Sequence, residues 1–158
     1  MVFIVNKYKI VFFLAILFSF QIVLAQTQLT VKASQLQPRK YAAYDFAFVA
    51  SQEIAKDAEI DIIFPKEFIL SKVVMADSRA MNGGLVVEVK GDTVKVKRSG
   101  RGNSVPAGSS IDIKLASVIN ARDMAKDFNF RILVKEQKNI IASERYTTGV
   151  SLIAARQQ

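Results

Sequence analysis

The sequence predicts an all-β fold, an antiparallel β-sandwich of about seven to nine strands behind an N-terminal signal peptide. Three observations carry that prediction. Apolar residues recur at every second position in one segment after another. The segments are short and are separated by Gly-, Pro- or Ser-bearing turns at spacings near a dozen residues. No segment sustains the 3.6-residue apolar period of an amphipathic helix.

Taken in order, the first element is "MVFIVNKYKIVFFLAILFSFQIVLAQ". Lys7 and Lys9 form a short positive stretch, Ile10 to Leu24 is mostly apolar, and Val23 and Ala25 precede a break before Gln26. This is the layout of a cleavable secretory signal: the charged end stays on the cytoplasmic side, the apolar run enters the bilayer, and small side chains fit the peptidase. Retention as an N-terminal anchor is the competing reading, and the apolar run is at the short end for a full span of about 20 residues. No cysteine follows, which excludes lipid attachment at a mature N-terminal Cys. Cleavage leaves residues 26–158 as a single β-sandwich domain, a size that supports a core without staples.

The strands follow. Leu29 and Val31 share one face of "QLTVKAS". Tyr44, Phe46, Phe48 and Ala50 alternate next, then Ile60, Ile62 and Phe64, stopped by Pro65. Leu85, Val87 and Val89 lead through Gly91-Asp92 into Val94 and Val96, whose partners Lys95 and Lys97 face the other way. A two-residue link with Gly first suits a type II′ hairpin. "SGRGNSVPAGSS" is a loop ending in the turn Val105 to Gly108. Ile111, Ile113 and Leu115 alternate after it, and "ASVINARDMAKD" has room for one short helical turn. Phe128, Phe130, Ile132 and Val134 form another strand, "EQKN" reverses it, and Ile140 to Glu144 and Thr147 to Ile153 finish the chain. One face of each strand is apolar and the other polar, so two sheets can bury their apolar faces together. A transmembrane barrel also alternates, but it needs strands of about 9–11 residues and aromatic girdles. The alternating runs here are shorter and Trp is absent.

Composition narrows the chemistry. There is no His and no Cys among 158 residues. Histidine bases and ligands, thiol nucleophiles, thiolate metal sites and disulfides are thereby excluded, together with Ser-His-Asp and Cys-His arrangements. Paired carboxylates are the remaining broad option. Glu59 and Asp61 lie two apart on the outward face of one strand, where they read as surface charges. Asp123 and Asp127 near Asn120 read as a capped turn, since calcium requires six or more oxygens placed together. "GRGNS" precedes a strand, whereas a phosphate loop requires a helix there. The expectation is a non-enzyme with no catalytic residue, no metal and no cofactor. No Asn-x-Ser/Thr sequon is present.

Charge points to a surface. The chain has 22 basic and 14 acidic residues, and the signal holds two of the basic ones and none of the acidic. A positive balance favours acidic partners such as anionic polysaccharide. The candidate polyanion-binding residues are Lys90, Lys95, Lys97, Arg98 and Arg101, beside loop 99–108, with Glu88 and Asp92 as their local offset. The bland alternative is a solvated sheet face, or lysines that discourage edge pairing. Tyr41 and Tyr146 are candidates for stacking on sugars. Leu29 and Val31, within 26–33, form a candidate assembly segment for strand addition to a neighbour.

The stretches "YAAYDFAF", "AEIDIIFPKEFIL" and "VKRSGRGNSVPAGSSIDIKLASVIN" occur in an order that resembles immunoglobulin-like β-sandwich repeat modules of bacterial secreted and cell-surface proteins. The resemblance spans about Leu29 to Ile153 and departs at Asn120-Ala121, where such modules often continue Asn-Pro. It implies binding, adhesion or surface scaffolding in a secreted, periplasmic or cell-surface setting, with a cell-surface protein or acidic polysaccharide as partner. It implies no catalytic residue. Self-assembly by strand addition is the alternative, and a small carboxylate-dependent hydrolase is the remote one. Nucleic acid is not an expected partner.

Overall fold

The computed structural model describes residues 29–147 and 153–154. The expected signal at 1–25 lies outside them, as does most of the final strand expected over 147–153. Ten strands form: β1 (Thr30–Ala33), β2 (Tyr41–Val49), β3 (Glu59–Ile63), β4 (Ala76–Asp77), β5 (Leu85–Lys90), β6 (Thr93–Arg98), β7 (Ser110–Ile119), β8 (Asn129–Glu136), β9 (Asn139–Thr147) and β10 (Ile153–Ala154). β4 and β10 have two residues each. One sheet has the order β10-β1-β2-β7-β4 and the other β5-β6-β3-β8-β9. The result is the all-β antiparallel sandwich that the alternation predicts, in the immunoglobulin-like form that the resemblance implies. Pairing is antiparallel throughout, apart from a parallel β1–β10 contact. Among the described residues no helix is long and apolar enough to cross a membrane.

The alternating apolar sets point inward as expected. Val31, Tyr44, Phe46, Ile111, Ile113 and Leu115 from the first sheet meet Ile60, Ile62, Val94, Val96, Phe130 and Ile132 from the second. The rings of β2 thus meet Phe130 of β8 and Phe64 just beyond β3 across the core. The Tyr44 ring lies 5.7 Å from both Phe64 and Phe68, and Phe64 lies 5.4 Å from Phe46 and Phe130, mostly edge to face. Such pairs add to burial because a ring's positive edge meets its neighbour's negative face. The Tyr44 hydroxyl is buried in this cluster and donates to Asn120 Oδ1 at 2.7 Å. Asn120 Nδ2 in turn donates to the carbonyls of Gln35 and Gln37, at 3.1 and 3.0 Å. Burial raises the Tyr44 pKa well above the tyrosine range, so the hydroxyl stays a donor. Asn120 thus clamps the β1–β2 connection to the end of β7.

One departure has a local cause, and two turns form as expected. The segment after Leu115 forms no helical turn; β7 continues to Ile119. A bulge does this: Tyr44 pairs with Leu115 but Ala42 pairs with Val118, and Ser117 sits at φ 64°. The extra residue moves the inward set from odd to even numbers, which breaks the alternation in sequence without ending the strand. The β8–β9 reversal places Gln137 and Lys138 at φ 47° and 73°, two left-handed residues as a type I′ turn demands. At the β5–β6 turn Gly91 has φ 62°, and Asp92 is not among the left-handed residues, which fits the type II′ hairpin.

Candidate functional site

The register of the second sheet assembles the candidate surface. Side chains on its outer face fall into three rows running across five strands. One row is Val86, Lys97, Glu59, Lys135 and Ile140. The next is Glu88, Lys95, Asp61, Leu133 and Ser143. The third is Lys90, Thr93, Ile63, Arg131 and Arg145. Among the described residues these rows carry six cations and three carboxylates. The strand order β6-β3-β8-β9 brings Lys135, Arg131 and Arg145 onto the same face as the hairpin lysines, on the far side of β3. Sequence reasoning missed all three, because their strands lie some thirty to fifty residues further along the chain. The charged positions of β8 and β9 signalled an outward face, but only the strand order shows which neighbours that face has.

The carboxylates lie in the middle strand, β3. Glu59 accepts from Lys95 at 3.4 Å and stands 4.0 Å from Lys135. Lys135 also donates to Asp61 Oδ2. Asp61 is 5% exposed, so it is not the open surface charge that its outward position suggested. Glu59, followed by Asp61, raises the Lys95 pKa by charge attraction. Lys95 is thus already engaged, which leaves Lys90 and Lys97 as the more available hairpin cations.

The predicted polyanion-binding set does not form one contiguous patch. Arg98 is 1% exposed and turns inward. Its Nη1 donates to the carbonyls of Ile54 and Ala55 at 3.1 and 2.7 Å, and its Nη2 to the carbonyl of Asn103. Desolvation lowers its pKa, opposed by the Asp57 charge. Its position follows from strand parity, since it shares the inward face with Val94 and Val96. Arg98 is therefore a structural tie and not a surface contact. Lys90 and Lys97 are four residues apart in register, roughly 13 Å. Arg101 is exposed beyond the end of β6.

Loop 99–108 is held more closely than its Gly and Ser content suggests. Ser99 Oγ donates to the carbonyl of Gly83, and Asn103 N donates to Asn82 Oδ1 at 2.9 Å. Val105 is buried and bridges Ile54 in both directions, each bond 2.9 Å. Asp123 Oδ1 accepts from Ala125 N at 3.1 Å, a capped turn as expected. Among the described residues no three acidic side chains group in a way that could hold a metal. Tyr41 is 56% exposed, whereas the side chain of Tyr146 lies outside the described residues.

The assembly segment is used internally. Leu29 and Val31 are both 0% exposed, and Val31 pairs with Phe46 within the domain. β1 sits between β2 and β10, so these residues belong to the chain's own core and do not offer a free strand. The first sheet's outer face is balanced in charge. Lys32, Asp45, Lys114 and Asp77 form one row, with Lys114 3.7 Å from Asp45, and Arg79 pairs with Asp112 at 2.9 Å. A shallow concavity of about 470 Å³ over this face is lined by these paired charges and by Thr30 and Ala47.

No protein-family model matches the sequence, and no curated protein matches it. Solved structures do share the fold. The N-terminal domain of the Streptococcus gordonii adhesin Sgo0707 is similar at a TM-score of 0.53 and 13% identity, covering 82% of this chain and 33% of that one. The major pilin subunit BcpA of Bacillus cereus is similar at 0.49 and 9%, covering 80% and 39%. A cohesin module from a Clostridium perfringens family 33 glycoside hydrolase is similar at 0.48 and 17%, covering 80% and 96%. The chain spans about a third of the adhesin structure. The sandwich fold is thus shared with the adhesin domain.

Proposed function

We propose that this chain is a non-catalytic exported module for adhesion or scaffolding at the bacterial cell surface or in the periplasm. Its acidic partner docks on the outer face of the second sheet. The observation that carries this reading is the contrast between the two faces. The first sheet's outer face sets Lys32, Lys114 and Arg79 against Asp45, Asp77 and Asp112, whereas the second sheet's rows hold six cations and three carboxylates. Such a face attracts polyanions by long-range Coulomb forces that salt screens. The shared fold with an adhesin domain supports the role as fold-level analogy. The non-catalytic reading is supported by the absence of His and Cys, and by the lysine partners of Glu59 and Asp61.

Retention on a heparin resin tests the docking face. The chain elutes at a defined salt concentration, and Lys90→Ala/Lys97→Ala elutes at lower salt while keeping its melting temperature. Elution of both proteins at the same salt removes the reading.

A further inference from the structure

The row Lys90, Thr93, Ile63, Arg131 and Arg145 differs from the other two in holding no carboxylate. Arg131 and Arg145 are direct cross-strand partners on its outer face. Like charges directly opposite one another destabilise a sheet, so this pair is out of place unless something lies between them. The same-face positions beside Arg131 on its own strand are Asn129 and Leu133, and those beside Arg145 are Ser143 and Thr147. On the outer face of the neighbouring strand Asp61 lies diagonal to Arg131, and Lys135 already donates to it. Nε of Arg131 is shielded from solvent and has no hydrogen-bond partner among the described residues. The two arginines, with Ile63, Asn129 and Phe130, line a concavity of about 300 Å³ at this end of the sheet.

We infer that this concavity is an anion subsite that takes a tetrahedral oxyanion, a sulfate or phosphate ester, carried on an acidic glycan. One guanidinium fork saturates the two oxygens of a carboxylate. Two guanidiniums arriving from adjacent strands offer more donors than a carboxylate uses and suit a group with three free oxygens. A bound anion converts the like-charge pair into a bridged one and gives the buried Nε a partner. The inference deepens the docking-face reading and rests on it only in requiring that this face be open to a partner. It does not involve the hairpin lysines.

Thermal unfolding with sodium sulfate, sodium phosphate or sodium chloride at matched ionic strength tests the subsite. Sulfate also strengthens apolar burial generally, so the readout is the increment over chloride in the parent chain compared with that in Arg145→Gln. The parent shows the larger increment, and Arg145→Gln binds the better anion at least about tenfold more weakly in an NMR titration. Whichever of sulfate and phosphate gives the larger increment identifies the ester. Arg145→Glu melts higher than the parent in chloride, because the pair becomes opposite in charge, and it loses the increment. Dextran sulfate competes with inorganic sulfate on the parent chain. Equal increments in the parent and Arg145→Gln overturn the inference, as does an Arg145→Glu protein that keeps its increment. A retained increment in Lys90→Ala/Lys97→Ala, together with unchanged heparin elution, would sink the docking face as proposed and leave the subsite standing.

Discussion

Single residues separate the structural cations from the contact cations. Arg98 satisfies three carbonyls in a site closed to water. Replacing it with Met leaves those acceptors orphaned, at a cost of about 2–4 kcal/mol, measurable by urea unfolding. Arg101→Ala, on the exposed loop, changes stability by less than about 0.5 kcal/mol. Asp112 illustrates a carboxylate whose environment pulls both ways. Desolvation raises its pKa, but the Arg79 side chain and the Ala80 and Arg79 backbone N–H groups outweigh that and hold it below the usual aspartate range. The unfolded chain therefore takes up this proton first as pH falls. The stabilisation is complete above the unfolded value near about 4 and is lost as pH drops through the lower folded value. Asp112→Asn flattens that part of the stability–pH curve, and an unchanged acid limb would contradict the assignment. The gain is small, since the Arg79 side chain is 88% exposed.

At the level of elements, the sequence shows strands well and shows neighbours poorly. The β5–β6 hairpin was legible because both signals are local: alternation on either side and a Gly-first two-residue link. The inward sets of β2, β3 and β8 were legible for the same reason. β7 beyond Leu115 was not, because one bulged residue at Ser117 reverses the parity on which the reading depends. Arg98 was misassigned through its company: it follows two outward lysines in type but falls on the inward parity of Val96. Arg131, Lys135 and Arg145 were missed because a surface made by strand order has no contiguous trace in the chain. The close approach of loops 82–84 and 99–103 was equally hidden. A Cβ on Gly102 would stand 2.1 Å from the Asn82 carbonyl oxygen and 2.5 Å from its Oδ1. Gly102→Ala is thus expected to force these loops apart and cost roughly 1–3 kcal/mol. Faster amide exchange at Asn103, whose N–H donates to Asn82 Oδ1, is the local check, and protection equal to the parent would show that the contact is dispensable.

For the whole molecule, export and architecture are separate expectations. If the segment ending at Ala25 is a secretory signal, the mature protein recovered from outside the cytoplasm begins at Gln26. Intact-mass spectrometry gives the answer, and a full-length mass would favour retention as an anchor. The sandwich itself has no cysteine to cross-link it: its stability rests on one core that gathers thirty buried apolar residues among those described. The parallel contact between β1 and β10 adds a mechanical property. Because Lys32 lies beside Ile153 and Ala33 beside Ala154, tension between the chain before β1 and the chain after β10 slides the two strands lengthwise past each other. Their hydrogen bonds then carry the load together and do not peel one at a time. A molecule tethered through the segments that flank β1 and β10 resists pulling at the edge where these two strands meet.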